Sequence, residues 1–209
     1  MAIRAFLARQ FMHPSGLFGR HVMGRVLNRL NSRHCDLVRE ELAVGPTDRV
    51  LEVGFGGGAL LAQLCQDASD GFVAGVEVSD AMLAVAKRRL RARIPSGQLA
   101  LRRGSVESLP FGSGEFDKAC SVNTTYFWRD LDEGLSELWR VVRPGGRLVL
   151  GFVSPEYIVR AGLDRHGFSY HSPDELNAAF GRAGFRPQRV RTGSDSRGTL
   201  YVSSAERAG

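Results

Sequence analysis

The stretch VLEVGFGGGA, residues 50–59, decides the fold of this chain. A short apolar run with the composition of a buried strand leads directly into glycines, and an apolar helical pattern follows. Gly54, Gly56 and Gly58 let the backbone turn tightly and approach a ligand closely. The free N–H groups at the start of the next helix face whatever binds there. The stretch therefore predicts a buried strand, a ligand-binding loop and a helix, in that order.

Strands and helices alternate outward from this stretch, which predicts a parallel sheet. A last helix begins at the capping box of Ser172 and Glu175 and ends at Gly184. The closing strands, residues 186–192 and 200–205, have no helix between them and should form an antiparallel hairpin. We expect an α/β fold: a single doubly wound, mostly parallel seven-stranded sheet with an antiparallel C-terminal hairpin and an N-terminal helical arm. The five strands expected before the hairpin lie at residues 49–53, 72–78, 99–102, 119–122 and 147–152.

The positive charge of the chain belongs to its first residues. The 209 residues carry a formal net charge of +6, and residues 1–35 contain six arginines and no acid. We therefore divide the chain into a basic helical arm or lid, residues 1–45, and a cofactor-binding domain, residues 46–209. Within the arm, a helical pattern over residues 22–42 should break at Asn31 and Ser32.

The basic arm fits an anionic acceptor, a nucleic acid or a membrane surface as partner, and equally a solvated helical face. It also has the composition of a mitochondrial transit peptide. The three cysteines make no C-x-x-C pair, which gives no support to a disulfide framework or a metal site. No apolar run approaches the roughly 20 residues of a membrane helix. We expect a cytoplasmic protein, and the oligomeric state stays open.

Glu77 is the second feature of a cofactor site. It ends the second predicted strand, about 20 residues beyond Gly56, where a carboxylate can accept hydrogen bonds from two ribose hydroxyls. Together with the glycine loop it predicts a nucleoside-containing cofactor. Gly54, Gly56 and Ala59 also satisfy the dinucleotide fingerprint, so these residues alone leave the choice of cofactor open.

Four segments in order resemble the motifs of class I methyltransferases that use S-adenosylmethionine. Glu52-x-Gly54-x-Gly56-x-Gly58 is similar to the first motif of that family. The others are the second strand with residues 73–83, the loop at residues 104–111 followed by residues 115–117, and the turn at residues 140–148. The resemblance covers roughly residues 48–205 and implies the fold predicted above, with S-adenosylmethionine as cofactor and S-adenosylhomocysteine as product.

The resemblance also implies roles for particular residues. Gly54, Gly56 and Gly58 would pass close to the methionine part of the cofactor, with Glu52 directed toward its amino group. Glu77 would hold the ribose. The remaining expected contacts surround the adenine or the methyl group, and Ser105 stands where many relatives have an aspartate; these contacts are Val78, Met82, Ser105, Val106, Glu107 and Asn123.

The acceptor side is expected just beyond the fourth strand. Ligands of such sheets bind beyond the carboxyl ends of the strands, which places Asn123 and Tyr126 beside the transferring methyl as candidate catalytic residues. The sulfonium methyl is already activated, so alignment is the main requirement, and a base is needed only if the acceptor must lose a proton. His171, just before the last helix, is the candidate base. The five histidines show no metal-ligand spacing.

The sequence favours methyl transfer to an unidentified small-molecule acceptor, which the basic arm would allow to be anionic. An RNA methyltransferase is the alternative within the enzyme class, which the arginine-rich arm supports; no RNA-binding module is recognisable in the sequence, and nucleic acid is not the expected partner. A nicotinamide-dependent oxidoreductase shares the glycine loop and Glu77. A non-catalytic cofactor-binding protein is the remaining alternative.

Overall fold

The computed structural model describes residues 24–94 and 96–209. Seven strands form one sheet: β1 (Arg49–Val53), β2 (Phe72–Glu77), β3 (Leu99–Arg103), β4 (Phe116–Val122), β5 (Val142–Val153), β6 (Phe185–Asp195) and β7 (Gly198–Arg207). The helices are α1 (Gly24–Leu42), α2 (Ala59–Asp67), α3 (Asp80–Arg89), α4 (Leu131–Val141), α5 (Pro155–Ala161) and α6 (Pro173–Arg182). Two short 3₁₀ helices lie at Thr125–Phe127 and Asp164–His166.

The strand order is β3-β2-β1-β4-β5-β7-β6. Strands β1 to β5 pair in parallel, whereas β7 runs antiparallel to both β5 and β6. Only β7 is therefore reversed among the strands of the described residues. The order changes direction at β1, between β2 and β4, which is the point where open α/β sheets bind ligands. The predicted mostly parallel seven-stranded sheet with an antiparallel C-terminal hairpin is confirmed.

The centre of the sheet is apolar on both faces because helices cover both. Leu51 and Val53 of β1 are buried, as are their neighbours Ala74 and Val76 on β2. Such strands read as continuous hydrophobic runs, which is why residues 50–53 were recognisable in the sequence. In the described part of the chain, no helix combines the length and the apolar character needed to cross a bilayer.

Helix α1 differs from its prediction because it continues through Asn31 and Ser32. The Ser32 hydroxyl donates to the carbonyl oxygen of Arg29 at 3.0 Å, a contact within the helix, so it does not interrupt it. Further along α1, Leu37 and Val38 are buried in the same core as the sheet. This part of the predicted arm packs as a component of the domain. Residues 1–23, with arginines 4, 9 and 20, lie outside the described residues.

Two further elements differ from the sequence prediction. Helix α5 was not predicted, although Ser154 caps it by accepting from the N–H of Tyr157 and Pro155 occupies its first turn. The polar stretch 193–198 was expected to be a loop, but β6 continues to Asp195 and β7 starts at Gly198. The hairpin is thus closed by Ser196 and Arg197, and this short turn brings Arg197 to the functional site.

Candidate functional site

One cavity of about 830 Å³ opens at the carboxyl ends of β1, β2 and β4. Parallel pairing places these ends side by side, with Val53 opposite Val76 on one flank and Ser121 on the other. Each strand then delivers its next residues into the same space. The glycine loop and Glu77 form one wall, and the chain after β4, with α1 and α5, forms the other.

The glycines of the loop differ in what they do. Gly54 has a φ of 73°, and a Cβ there would stand 2.3 Å from Cγ2 of Thr124, so only glycine allows the loop to pass the end of β4. Gly56 has a φ of 51° and open space where a Cβ would project into the cavity. Gly58 instead packs against Ala86 of α3, with its Cβ position 3.1 Å from the Ala86 methyl. Gly58 is not among the described residues that line the cavity, whereas Gly57 is.

Glu77 is held in place by backbone groups. Its Oε2 accepts from the N–H of Gly56 and its Oε1 from the N–H of Ser79, both at 2.9 Å. The same carboxylate therefore ties the glycine loop to the start of α3 while it faces the cavity. Each carboxylate oxygen has further lone pairs that can accept from a ligand hydroxyl.

Glu52 is a buried acid on the floor of the cavity, with 4% of its surface exposed. Its Oε2 has no hydrogen-bond partner among the described residues. Burial, with a smaller contribution from the charge of Glu77, raises the pKa of Glu52 to about 8. A buried carboxylate oxygen without a hydrogen-bond partner destabilises the protein unless a ligand donates a hydrogen bond to it. A cationic donor would form the strongest such hydrogen bond.

The other predicted cofactor contacts lie on the wall formed by the glycine loop and Glu77, toward its outer end. Val78 and Met82 line the cavity, with Val78 42% exposed and Met82 fully buried. Ser105, Val106 and Glu107 line it from the loop after β3. The Ser105 hydroxyl donates to Glu107, whose other oxygen accepts from the N–H of Arg129 at 2.8 Å.

Asn123 and Tyr126 lie at the opposite wall, where β4 ends. Asn123 has a φ of 56°, a left-handed conformation that asparagine tolerates better than most residues. Its amide nitrogen donates to Oδ1 of Asn31 at 2.9 Å, and its Oδ1 accepts from the Tyr126 hydroxyl at 3.0 Å. The Tyr126 hydroxyl also accepts from the N–H of Val153. Burial raises the pKa of Tyr126 far above the neutral range, so this phenol is uncharged at physiological pH.

An aromatic and aliphatic surface continues from Tyr126. Phe127 packs edge-on against Phe168, with ring centroids 4.7 Å apart. The side chains of α5 and the segment after it complete this apolar wall, whose members are Tyr126, Phe127, Val153, Tyr157, Ile158, Ala161, Leu163 and Phe168.

The structure does not place His171 at this cavity. Among the described residues, the one from this segment that covers the aromatic wall is Phe168, because the N–H of Ser169 donates to the carbonyl oxygen of Tyr126 and fixes the chain there. His171 lies beyond that point, at the start of α6, and burial lowers its pKa. Its expected position over the acceptor pocket is therefore not found.

Three polar residues of the site were not predicted from the sequence: Asn31, His34 and Arg197. Asn31 and Arg197 line the cavity, 166 positions apart, and Nη1 of Arg197 donates to Oδ1 of Asn31 at 2.8 Å. His34 is fully buried beside them, and its Nε2 donates to the carbonyl oxygen of Tyr201 at 2.9 Å. No local motif marks such residues, because they meet only when α1 packs against the hairpin turn.

The sheet order, the glycine loop at β1 and the buried carboxylate at the end of β2 define a Rossmann-like domain that binds a nucleoside-containing cofactor. Comparison with known proteins agrees. Residues 51–150 match the family model described as "Methyltransferase domain". The chain is 36% identical over 110 residues to the uncharacterized methyltransferase YdaC of Bacillus subtilis, covering 53% of this chain and 59% of that protein.

A second relative is the demethylmenaquinone methyltransferase of Symbiobacterium thermophilum, 31% identical over 173 residues, with 67% of this chain and 69% of that protein covered. The fold is also similar to geranyl diphosphate C-methyltransferase from Streptomyces coelicolor A3(2), solved with S-adenosyl-L-homocysteine. That likeness has a TM-score of 0.71 at 21% identity and covers 86% of this chain and 78% of that one. The chain belongs to the class I family of S-adenosylmethionine-dependent methyltransferases, and the predicted family is confirmed.

The residues present fit the cofactor of this family. The partnerless oxygen of Glu52 suits the ammonium of its methionine part, and the open space at Gly56 leaves room for a ligand against the loop. Glu77 offers buried oxygens for ribose hydroxyls. These assignments were implied by the resemblance, and the individual contacts stay predictions.

We predict that binding of S-adenosylhomocysteine near pH 7 releases a proton from Glu52. The carboxyl is neutral below its pKa of about 8, and pairing with an ammonium requires the charged form. Affinity should therefore fall by up to about tenfold per pH unit below that pKa. Calorimetry in two buffers of different ionisation enthalpy measures the released proton. The isosteric Glu52→Gln should remove the release, and an equal release in both proteins would contradict the prediction.

The raised pKa of Glu52 also determines how the free energy of unfolding changes with pH. The folded-state pKa of Glu52 is raised above its value of 4.5 in the unfolded chain, so the neutral acid favours the folded state at low pH. This contribution is fully present below about pH 4.5 and is lost as the pH rises to about 8. Glu52→Gln should flatten that part of the stability profile of the cofactor-free protein.

Proposed function

We propose that the protein transfers the methyl group of S-adenosylmethionine to a small-molecule acceptor. The observation that carries the proposal is the continuity of one cavity, from Glu52 and Glu77 on one wall to the aromatic surface beyond β4 on the other. Its volume of about 830 Å³ lies in the range of small-molecule sites, roughly 300–1,000 Å³. The protein's family also leaves the nicotinamide oxidoreductase without support.

When bound, the cofactor supplies a methyl group activated by the positive charge of its sulfonium. That methyl carbon would accept the lone pair of the acceptor, and the electrons of the carbon–sulfur bond would stay on sulfur in the departing S-adenosylhomocysteine. Glu52 and Glu77 would hold the ammonium and the ribose. Asn123, kept in place by Asn31 and Tyr126, would orient the acceptor beside the strand end. Alignment of this kind, together with exclusion of water, is the main contribution that a protein makes to such a transfer.

The proposal is tested by incubating the protein and S-adenosylmethionine labelled in the methyl group with a metabolite extract. Label should appear in a low-mass product and not in added RNA or protein, and the Glu77→Ala variant should transfer much less. Label in RNA would favour the alternative acceptor. Tight cofactor binding with no transfer into any fraction would favour a non-catalytic cofactor-binding protein.

The basic N-terminal arm is proposed to act as a lid that contributes to acceptor binding. Leu30 and Asn31 of α1 line the cavity. Helix α1, which directly follows residues 1–23 in the sequence, thus forms part of the cavity wall.

Deletion of residues 1–20 is expected to lower turnover by more than it lowers the melting temperature. Replacing arginines 4, 9 and 20 by glutamine in the full chain is the matched control, since it removes the charge and keeps the length. Turnover with the labelled cofactor and a thermal melt measure the two effects. Full activity of the truncated protein would show that the arm is a solvated tail.

A further inference from the structure

Arg197 is a largely enclosed cation at the acceptor end of the cavity. It stands in the short turn between β6 and β7, and only 12% of its side chain is exposed. Its Nη2 lies 2.7 Å from Oδ2 of Asp195, and its Nε lies 3.0 Å from the same oxygen. The guanidinium of Arg197 and the carboxylate of Asp195 therefore form an ion pair with two hydrogen bonds beside the cavity wall.

The donors of Arg197 can be counted against its partners. A guanidinium has five N–H groups. Nε and one Nη2 hydrogen serve Asp195, the second Nη2 hydrogen serves the carbonyl oxygen of Leu30 at 2.8 Å, and one Nη1 hydrogen serves Asn31 at 2.8 Å. Among the described residues, one Nη1 hydrogen is left without an acceptor, on a side chain that lines the cavity. Leaving such a donor without an acceptor costs free energy, so a ligand oxygen that accepts from this N–H group would bind favourably.

The rest of the acceptor end is electrically neutral as far as the structure describes it. The apolar wall carries no formal charge. Burial raises the pKa of the Cys35 thiol and of the Tyr126 phenol, so both are neutral at physiological pH. Arg129 and Glu133 at the rim of the cavity pair with each other at 2.8 Å. The charge of Arg197 is already compensated by Asp195, so an anionic ligand would gain little and would approach a carboxylate.

We infer that the acceptor binds as an uncharged molecule with an apolar body, whose oxygen accepts a hydrogen bond from Nη1 of Arg197. This inference rests on the proposed function and specifies its substrate class. A cationic acceptor would be repelled by the cofactor's sulfonium and would find no uncompensated carboxylate among the described residues of the acceptor end. An anionic acceptor would lose its hydration, and no uncompensated cation among the described side chains of the acceptor end would replace it. An apolar body fits the aromatic wall, where Phe168 and Tyr126 stack with ring centroids 6.2 Å apart.

The test uses three probes that share one aromatic body and differ at one position: naphthalene, 2-acetylnaphthalene and 2-naphthoate. Each is titrated into the full-length protein with and without S-adenosylhomocysteine. The ketone should bind roughly tenfold tighter than naphthalene, the scale of one hydrogen bond to a charged donor. The carboxylate should bind at least about tenfold more weakly than the ketone. A carboxylate that binds as tightly as the ketone, or a ketone no tighter than naphthalene, overturns the inference.

Two variants locate the effect. Phe168→Ala should weaken binding of naphthalene and 2-acetylnaphthalene and leave binding of S-adenosylhomocysteine unchanged. If the affinity for the ketone does not change, the ketone binds elsewhere and the inference is wrong. The double variant Arg197→Met with Asp195→Asn removes both charges together. It should abolish the advantage of the ketone over naphthalene, and if it fails to fold, the probe series on the natural protein decides alone. Binding of S-adenosylhomocysteine, measured in parallel, tests the proposed function separately.

Discussion

Replacing Glu77 by alanine is expected to weaken binding of S-adenosylmethionine and S-adenosylhomocysteine by about 1–3 kcal/mol, or roughly 5–150-fold in Kd. The carboxylate is 7% exposed and accepts from the N–H groups of Gly56 and Ser79. Its loss would remove the expected partner of the ribose hydroxyls and would also leave two backbone donors without their acceptor. Both losses occur at the wall of the cavity that the glycine loop and Glu77 form.

The matched control is Glu77→Gln, which keeps one carbonyl oxygen and the shape of the side chain but loses the charge. We expect its affinity to lie between those of the natural protein and the alanine variant. Calorimetry gives both affinities, and a thermal melt of each variant separates weaker binding from a disturbed glycine loop. An unchanged affinity in Glu77→Ala would reject the proposed role.

If the Asn123 side chain acts mainly in the transition state, Asn123→Ala is expected to lower the turnover rate by roughly 10–1000-fold while cofactor affinity stays within about 1 kcal/mol. Asn123 has a φ of 56°, and alanine in that conformation adds backbone strain. Asn123→Gly is therefore the matched control, since it removes the same side chain without the strain. Equal losses of turnover in both variants, with different melting temperatures, would assign the effect to the side chain.

Tyr126→Phe should reduce turnover on the same scale, roughly 10–1000-fold. The hydroxyl that donates to Asn123 also accepts from the N–H of Val153, so its removal leaves a buried donor without a partner and destabilises the fold by about 1–3 kcal/mol. Turnover must therefore be normalised to the folded fraction. If both variants turn over the acceptor normally, the assignment of this strand end to the methyl-transfer site fails.

The fold was predictable because its strongest signals are local. A buried parallel strand has a continuous apolar sequence, and the strand that ends at Val53 follows this pattern. At Gly54 the backbone has a φ of 73° and no space for a Cβ, so the position requires glycine. The hairpin of β6 and β7 followed from two strand patterns with no helix between them. The start of helix α5 also has a local signal in the sequence, Ser154 followed by Pro155.

The acceptor end of the site depends on contacts between distant segments. Asn31 lies 92 positions from Asn123 and 166 positions from Arg197, yet its Oδ1 accepts from both. Nothing near Asn31 in the sequence distinguishes it from a helix-breaking residue, and that is how it was interpreted. His171 shows the opposite case: a histidine beside a recognisable helix cap is a local signal, but among the described residues of that segment the cavity is lined by Phe168 and not by His171.

The most direct test of the account is a calorimetric titration of the purified full-length chain with S-adenosylhomocysteine and, separately, with NAD. We expect saturable binding of S-adenosylhomocysteine that weakens in Glu77→Ala, and no binding of NAD. Binding of NAD without any response to S-adenosylhomocysteine or S-adenosylmethionine would contradict it.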